Sequence, residues 1–218
     1  DDIALIQLSS AKKKQLDISK CIVTIDNPTP ELASTIALFD VVAGDAPVGA
    51  APGRMPIHLR DCIVRGQATT LRMRESVPVR FVWNNGLLAT SERLLLAEGT
   101  KRDVDDTTIR LSLLNVTANV GRGLCLLRDS RTKPNQPGLE LVCNKTIISA
   151  AGSNLVEHVG INAYDTYQRS LFLRGDWNVY EDVDTFWHVS VEDEAKPGFD
   201  WPAWTERLRM GGGLPSSV

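Results

Sequence analysis

The sequence repeats one short pattern five times, and this repetition limits what the chain can fold into. Each copy opens with alternating apolar and polar residues, and a period of two is typical of β-strands. The copies begin at residues 16, 57, 79, 109 and 139. A second apolar cluster follows each copy, at residues 36–39, 71–73, 94–96, 124–127 and 155–156. Repetition on this scale predicts a solenoid, in which each unit stacks on its neighbours.

Composition and charge exclude several classes of protein. The 218 residues are 43% hydrophobic, which is enough to bury a continuous core. The net charge of −3 argues against a nucleic-acid partner, because nucleic-acid binding needs a strongly basic surface. No apolar run approaches the ~20 residues of a membrane helix. The first eight residues resemble the second apolar cluster of a repeat, so we expect a piece of a longer protein with additional upstream domains.

Insertions of different length account for the unequal steps between the copies. Three of them follow a second apolar cluster, at residues 41–56, 100–106 and 130–137. We therefore expect the long loops to leave one corner of the stacked units. One loop carries Asp103, Asp105 and Asp106, which are ligands for calcium, an acid and base pair, or simply a solvated turn.

The alternation predicts which residues face inward and where the chain turns. The first residue of each copy is expected to share one interior file: Leu16, Ile57, Val79, Ile109 and Leu139. Asparagines at 84–85, 115 and 144 indicate tight turns, because Asn tolerates left-handed backbone. Cys21 and Cys62 hold matching positions, either as stacked buried thiols or as a disulfide.

Strand–turn–strand units with an inward aliphatic ladder and Asn at the turns resemble the right-handed parallel β-helix, the pectate-lyase-like superfamily. The ending is also similar to that of many bacterial β-helix proteins, with Asn-Val-Tyr at 178–180, Phe-Trp at 186–187 and an aromatic segment at 199–207. It departs from them at 210–214, where Met-Gly-Gly-Gly-Leu stands.

The resemblance implies an all-β fold, a right-handed parallel β-helix solenoid of about five coils with a C-terminal aromatic cap. The coils are expected over residues 1–163, and the cap and tail over 164–218. Four tryptophans are candidates to cover the end of the solenoid: Trp177, Trp187, Trp201 and Trp204. Asp200 is expected to cap a short helix there. A β-sandwich is the main alternative, because it also contains alternating strands and turns.

Aligning the copies on their first residues predicts a cluster of cationic side chains on the outer face. Its members are His58, Arg60, Arg80 and Arg110. Stacked units lie about 4.8 Å apart, and arginine binds carboxylates or sulfates through two parallel hydrogen bonds. An acidic polysaccharide could therefore lie across the units, although a solvated face neutralised by Asp17 and Glu140 is the simpler interpretation. A further outward pair, Arg72 and Arg74, is expected on the neighbouring strand.

No recognisable catalytic constellation accompanies this cluster. The paired Asp motifs that resemblance to polygalacturonases would imply are missing, and no metal-ligand spacing or phosphate loop is present. We therefore predict no catalytic residue, metal or cofactor.

Three functional hypotheses follow. The leading one is a non-catalytic β-helix binding or scaffold module of a larger bacterial protein, with an acidic polysaccharide or a protein as partner. The alternative is a polysaccharide lyase or epimerase acting on uronate-containing glycans, with an arginine and His58 in the reaction. The third is a structural spacer. The sequence does not determine the location, and we favour an extracellular or cell-envelope one.

Overall fold

A computed structural model describes residues 2–9, 15–43, 54–75, 77–99, 108–129, 132–133, 135, 138–191 and 194–209. In the last of these ranges, residues 194–198 and 207–208 are described for the backbone alone. Nearly all the regular structure is β-strand, and the strands form two sheets.

One sheet has eight strands, which run mostly through the second apolar clusters of the repeats. In chain order these are β1 (Ile3–Ser9), β4 (Ile36–Val42), β6 (Thr69–Met73), β8 (Leu95–Glu98), β10 (Cys125–Arg128), β13 (Val156–Gly160), β16 (Trp187–Val191) and β17 (Glu194–Phe199).

The other sheet has nine strands, which contain the alternating segments. They are β2 (Leu16–Ser19), β3 (Ile22–Ile25), β5 (Met55–Gly66), β7 (Val79–Thr90), β9 (Ile109–Val120), β11 (Leu139–Asn144), β12 (Ile147–Ser153), β14 (Leu171–Arg174) and β15 (Val179–Val183). A 3₁₀ helix at Pro30–Thr35 and the helices α1 (Tyr164–Arg169) and α2 (Trp201–Arg209) complete the described structure.

The chain passes alternately between the two sheets, and each return adds a strand beside the previous one. The eight-stranded sheet has the order β1-β4-β6-β8-β10-β13-β16-β17, and the longest path through the other is β14-β11-β9-β7-β5-β2. Every pairing among the described strands is parallel except that of β16 with β17. The largely antiparallel β-sandwich is therefore wrong.

The strand register differs by two residues from the predicted interior file. Ile57 pairs with Leu16, as expected, but its partner on the other side is Phe81, and Val79 pairs with Met55. Both residues still point inward, because a shift of two residues leaves every side chain on the same face. The interior is a continuous apolar core, and each repeat contributes to it from both sheets.

A column of residues with left-handed backbone bends the nine-stranded sheet. Its members have φ between 53° and 60° and follow the first segment of each level: Lys20, Asp61, Asn85, Asn115, Lys145 and Trp177. The left-handed backbone predicted at Asn85 and Asn115 is confirmed, although β7 and β9 continue through these residues. Asn144 instead precedes its turn residue, and its side-chain oxygen accepts a hydrogen bond of 3.0 Å from the backbone N–H of Asp176.

The long insertions lie mostly outside the described residues, and the acidic loop with Asp103, Asp105 and Asp106 lies entirely outside them. Their points of attachment are described. Each insertion joins the end of a strand in the eight-stranded sheet to the next strand of the nine-stranded sheet, and α1 occupies the same connection between β13 and β14. The prediction that they share one corner is therefore confirmed for the chain connectivity.

Both sheets continue past residue 163, the predicted boundary between coils and cap. Strands β14 and β15 extend the nine-stranded sheet, and β16 extends the other, so the chain forms one more level than the sequence suggested. Beyond it, β17 pairs antiparallel with β16, and α2 begins after Asp200, whose carboxylate accepts the N–H of Ala203 (3.0 Å).

The four tryptophans of this region play different parts. Trp204 is buried against Phe186, with ring centroids 5.4 Å apart, and Trp201 is half-exposed beside it. Trp187 belongs to the sheet core, whereas Trp177 is 85% exposed and covers nothing. The sequence also predicts that Leu208 faces the last level beside Trp204, but the side chain of Leu208 lies outside the described residues.

Arg72, predicted to face solvent, is instead only 4% exposed. Its Nε lies 3.1 Å from Oδ1 of the fully buried Asp40, and its Nη1 donates to the carbonyl of Thr35 (2.8 Å). The Nη2 of Arg74 lies 2.8 Å from Oδ2 of the same carboxylate. Burial would raise the pKa of Asp40, but the hydrogen bonds and charges of Arg74 and Arg72 outweigh it and hold that pKa below its ordinary value. The outward prediction failed because β1 and the 3₁₀ helix contribute partners that alternation cannot reveal.

Replacing Asn115 by Val should destabilise the protein by about 1–2 kcal/mol, because a β-branched residue is strained at positive φ. The matched control is Asn119→Val, which makes the same change at an exposed position in the same strand that does not have positive φ. Urea unfolding of both variants gives the comparison. Equal losses of stability would contradict the role of the left-handed column.

Candidate functional site

The predicted cationic cluster of His58, Arg60, Arg80 and Arg110 does not form as expected, because β5 and β7 pair two residues away from the predicted register. Arg80 pairs with Pro56 and Arg110, whereas His58 pairs with Asp17 and Val82. Arg60 pairs with Ser19 and Asn84, four residues along the strand from Arg80. The structure therefore brings together Arg80 and Arg110 but leaves Arg60 and His58 outside their file.

Carboxylates already engage two of these four residues. The Nε of Arg110 lies 2.7 Å from Glu140 Oε2, and the Nδ1 of His58 lies 3.0 Å from Asp17 Oδ1. Both pairs are partly exposed, so each stabilises the fold only weakly. The outer face of the nine-stranded sheet therefore carries alternating positive and negative side chains and not a continuous row of anion-binding cations.

A different group of polar residues lines a cleft of about 200 Å³. The cleft lies where the chain leaves the nine-stranded sheet for the eight-stranded one, so successive levels contribute successive residues. Its lining is Arg93, Arg122, Gly152, Ser153, Asn154, Glu157 and Asp184. The repeat analysis missed this corner. The signal was a polar or charged residue one or two positions before most second apolar clusters, as in Arg93-Leu94 and Asn154-Leu155.

Hydrogen bonds between levels fix the backbone of this corner. The N–H of Gly121 donates to the carbonyl of Thr90 (2.9 Å), and that of Asp184 donates to the carbonyl of Ser153 (3.1 Å). The hydroxyl of Ser153 also donates to the carbonyl of Gly121 (3.3 Å). The cleft is thus built on a paired scaffold that needs little ordering when a ligand binds.

Arg93 and Glu157 form the floor of the cleft. The guanidinium of Arg93 lies 3.0 Å from Glu157 Oε2, and the side-chain amide of Asn154 donates to Glu157 Oε1 (3.0 Å). Arg93 also donates to the carbonyl of Arg122. Burial lowers the pKa of Arg93, and the charges of Glu157 and Glu92 partly offset that effect. Both charged groups are therefore held in place by the protein itself.

Arg122 and Asp184 are the charged groups that the cleft offers to a ligand. The side chain of Arg122 is 58% exposed, with its Nε 3.5 Å from the buried carboxylate of Glu92. Burial raises the pKa of Glu92, although the charges of Arg122 and Arg93 act against the shift. With two arginines and two carboxylates in its lining, the cleft carries nearly balanced charge.

A second polar cluster is buried and anchors α1. The hydroxyl of Tyr167 lies 3.0 Å from both carboxylate oxygens of Asp129, which also accept hydrogen bonds from the backbone of Ile161 and the side chain of Asn162. Burial raises the pKa of Asp129, against the effect of these hydrogen bonds. The partners of the carboxylate are internal, so this cluster is structural.

His158 lies beside that cluster and is fully buried. Its Nδ1 accepts the indole N–H of Trp187 at 2.8 Å. Burial lowers the pKa of His158 to about 3, so the imidazole is neutral near pH 7. It therefore does not exchange protons with a substrate near neutral pH.

The four cysteines are unpaired, and Cys21 lies beside Cys62 as two free thiols. Burial raises the pKa of Cys143 to about 12, so that thiol is not a nucleophile near pH 7. Within the part of the chain that the structure describes, no three His, Cys, Asp or Glu side chains converge as metal ligands.

Lowering the pH from 7 to 5 should cost about 2 kcal/mol of stability through His158 alone. The unfolded imidazole has a pKa of 6.5 and the native one about 3, so between these values the unfolded chain binds the extra proton. Stability must therefore fall as the pH falls through this window. In His158→Gln, whose amide oxygen can accept the same indole N–H, this loss should vanish.

Urea unfolding of both proteins at the two pH values tests this expectation. Asp129 and Glu92 contribute equally to both proteins, so the difference between them isolates the histidine. An identical pH dependence in wild type and variant would contradict the burial of a neutral His158.

Comparison of the chain with protein families, with curated proteins and with solved structures finds no match in any of the three. No helix among the described residues is long and apolar enough to cross a membrane. A function for this chain therefore has to be inferred from its own residues and their geometry.

Proposed function

We propose that the chain is a non-catalytic binding module of a larger bacterial protein, and that the corner cleft holds one unit of an extended glycan. We further propose that its two sheets belong to a right-handed parallel β-helix, resembling the pectate-lyase-like superfamily.

The strand topology supports the β-helix. The chain alternates between two sheets in parallel register, and one left-handed residue recurs at the same corner of every level. Parallel strands joined by a crossover connection are right-handed in about 98% of cases, which favours the proposed hand.

The composition of the cleft is the observation that carries the glycan proposal. Arg122 supplies donors, Asp184 supplies acceptors, and Ser153 and Asn154 add a hydroxyl and an amide on a fixed backbone. Neighbouring sugar hydroxyls both donate and accept hydrogen bonds, so they match alternating donors and acceptors. A pocket for a drug-sized ligand measures about 300–1,000 Å³, so this smaller cleft fits part of an extended chain.

The balance of charge favours a neutral glycan over the acidic polysaccharide suggested by the sequence. A polyanion would meet the carboxylates of Asp184 and Glu157 in the cleft. On the sheet face it would meet two neighbouring arginines, Arg80 and Arg110, and the second of these is already paired with Glu140.

We propose binding without catalysis because the carboxylates in and beside the cleft are, with one exception, already paired or buried. Glu157 is held by Arg93 and Asn154 on its two oxygens, which removes it as a proton donor or acceptor for a ligand. Glu92 is buried beneath Arg122. Asp184 is then the one exposed carboxylate of the cleft, whereas glycoside hydrolysis uses two.

A specific observation favours the second candidate, a lyase or epimerase acting on uronate-containing glycans. The bond between His58 Nδ1 and Asp17 orients the imidazole and leaves Nε2 available as a base. Arg80 stands on the adjacent strand, two residues away in register, and could hold a uronate carboxylate.

Arg122→Ala should weaken binding of a neutral oligosaccharide at least about tenfold, because it removes charge-assisted hydrogen bonds. Arg122→Lys should recover binding only in part, since a lysine lacks the planar fork. Arg209→Ala is the matched control, because that side chain is 80% exposed on α2. Calorimetric titration with neutral and uronate oligosaccharides measures the effect.

Failure of wild type to bind any oligosaccharide would overturn the glycan proposal and leave the protein-partner or spacer roles. Incubation with uronate polymers separates binding from turnover. Accumulation of unsaturated ends that requires both His58 and Arg80 would establish the enzyme alternative.

A further inference from the structure

The outer face of the nine-stranded sheet carries a row of six side chains that faces water, and all of them except Thr117 are aliphatic. Strand register aligns them directly beside one another on six neighbouring strands: Ile22, Ile63, Leu87, Thr117, Ile147 and Val179. We call this row the apolar stripe. Each member stands two residues after a residue of the left-handed column. The same position in each level therefore supplies one residue of the stripe.

Four members of the stripe are exposed to an unusual degree for large apolar residues, whereas Ile63 is only partly exposed. Ile22 is 67% exposed and Val179 is 57% exposed at the two ends, and Leu87 and Ile147 are exposed between them. Six strands spaced about 4.8 Å apart make a stripe about 24 Å long. Parallel sheets normally have both faces covered, so a continuous row of this kind indicates a surface that another element covers.

The residues beside the stripe bear charges in a defined order. On the side of the left-handed column, Lys20 and Asp61 stand at one end, and Lys145 and Trp177 stand at the other. The opposite side of the stripe also carries charges, two residues further along the strands. Arg65 stands there in the same strand as Asp61, and Glu181 stands there at the other end. This order limits which surface can lie against the stripe without placing like charges together.

We propose that a second copy of this chain covers the apolar stripe, with a two-fold axis in the plane of the interface. If the axis runs along the strands, the order of the strands is reversed in the second copy. Three residues of one copy then contact the other copy. Ile63 contacts its Ile147, Asp61 contacts its Lys145, and Lys20 contacts the exposed ring of its Trp177. The contacts are therefore apolar along the centre and complementary in charge along the edge.

The other two-fold arrangement, with the axis along the stack of strands, uses the same surface. Each stripe residue then meets its own counterpart, and Asp61 meets Arg65 of the second copy. Asp61 thus faces a cation in both arrangements. The stripe and its edges cover on the order of 300 Å², below the roughly 800 Å² per partner of a stable complex. Association should accordingly be weak and depend on concentration.

Sedimentation velocity over a hundredfold range of concentration tests the proposal. Wild type should shift from monomer towards dimer as the concentration rises. Ile147→Glu should remain monomeric, whereas Leu32→Glu, at a position of similar exposure away from the stripe, should associate as wild type does. Unfolding by urea checks that both variants fold, and Ile147→Ser replaces the glutamate variant if that one does not.

The edge charges provide an independent arm. Asp61→Lys should weaken association, and adding either Lys145→Asp or Arg65→Asp should restore it, which identifies the direction of the axis. Wild type that is monomeric throughout, or that associates equally well with Ile147→Glu, would overturn the proposal. Neither the stripe nor this experiment depends on the glycan proposal.

Discussion

Parallel pairing in one fixed register determines the placement of nearly every other feature of this protein. Backbone hydrogen bonds set neighbouring strands about 4.8 Å apart, so residues at matching positions form files that run through the whole stack. Inward files become the continuous core, and outward files become rows of surface side chains. A single outward position can therefore define a surface feature that spans several levels, as the apolar stripe does.

The corners of the levels carry different features. One corner repeats a left-handed residue and bends the sheet, and another carries the insertions. The third holds the cleft of Arg122 and Asp184, where the turns are tied together by hydrogen bonds between levels. Loops on a rigid scaffold are common places for binding residues. Among the described residues this corner combines a cavity with exposed polar groups, and for that reason we propose it as the ligand site.

Alternation in the sequence was sufficient to predict β-strands and inward-facing residues. Parallel layers were expected from the repetition and from the resemblance to β-helix proteins, and neither of these predicted the register. Ile57 can be aligned either with Val79 or with Phe81, because the two alignments differ by two residues and both leave the apolar side chains on the inner face. Counting from the corner would have resolved this: Leu16, Ile57, Phe81, Leu111 and Leu141 each stand four residues before a left-handed residue. The buried pair of Asp40 and Arg72 was missed because its partners come from β1 and the 3₁₀ helix, which are distant in sequence. The cleft was missed because no single repeat contains it.

Engineered cysteine pairs measure the register directly. Cysteines at Arg80 and Arg110, or at Arg60 and Asn84, replace residues directly beside each other on neighbouring strands, within the reach of a disulfide. Cysteines at Arg60 and Arg80 are offset by four residues on the same two strands. Under mild oxidation, with cross-links located by peptide mass mapping, the first two pairs should form disulfides readily and the third should not. Efficient cross-linking of Arg60→Cys with Arg80→Cys, together with failure of the other two pairs, would contradict the register on which the core, the cleft and the stripe all depend.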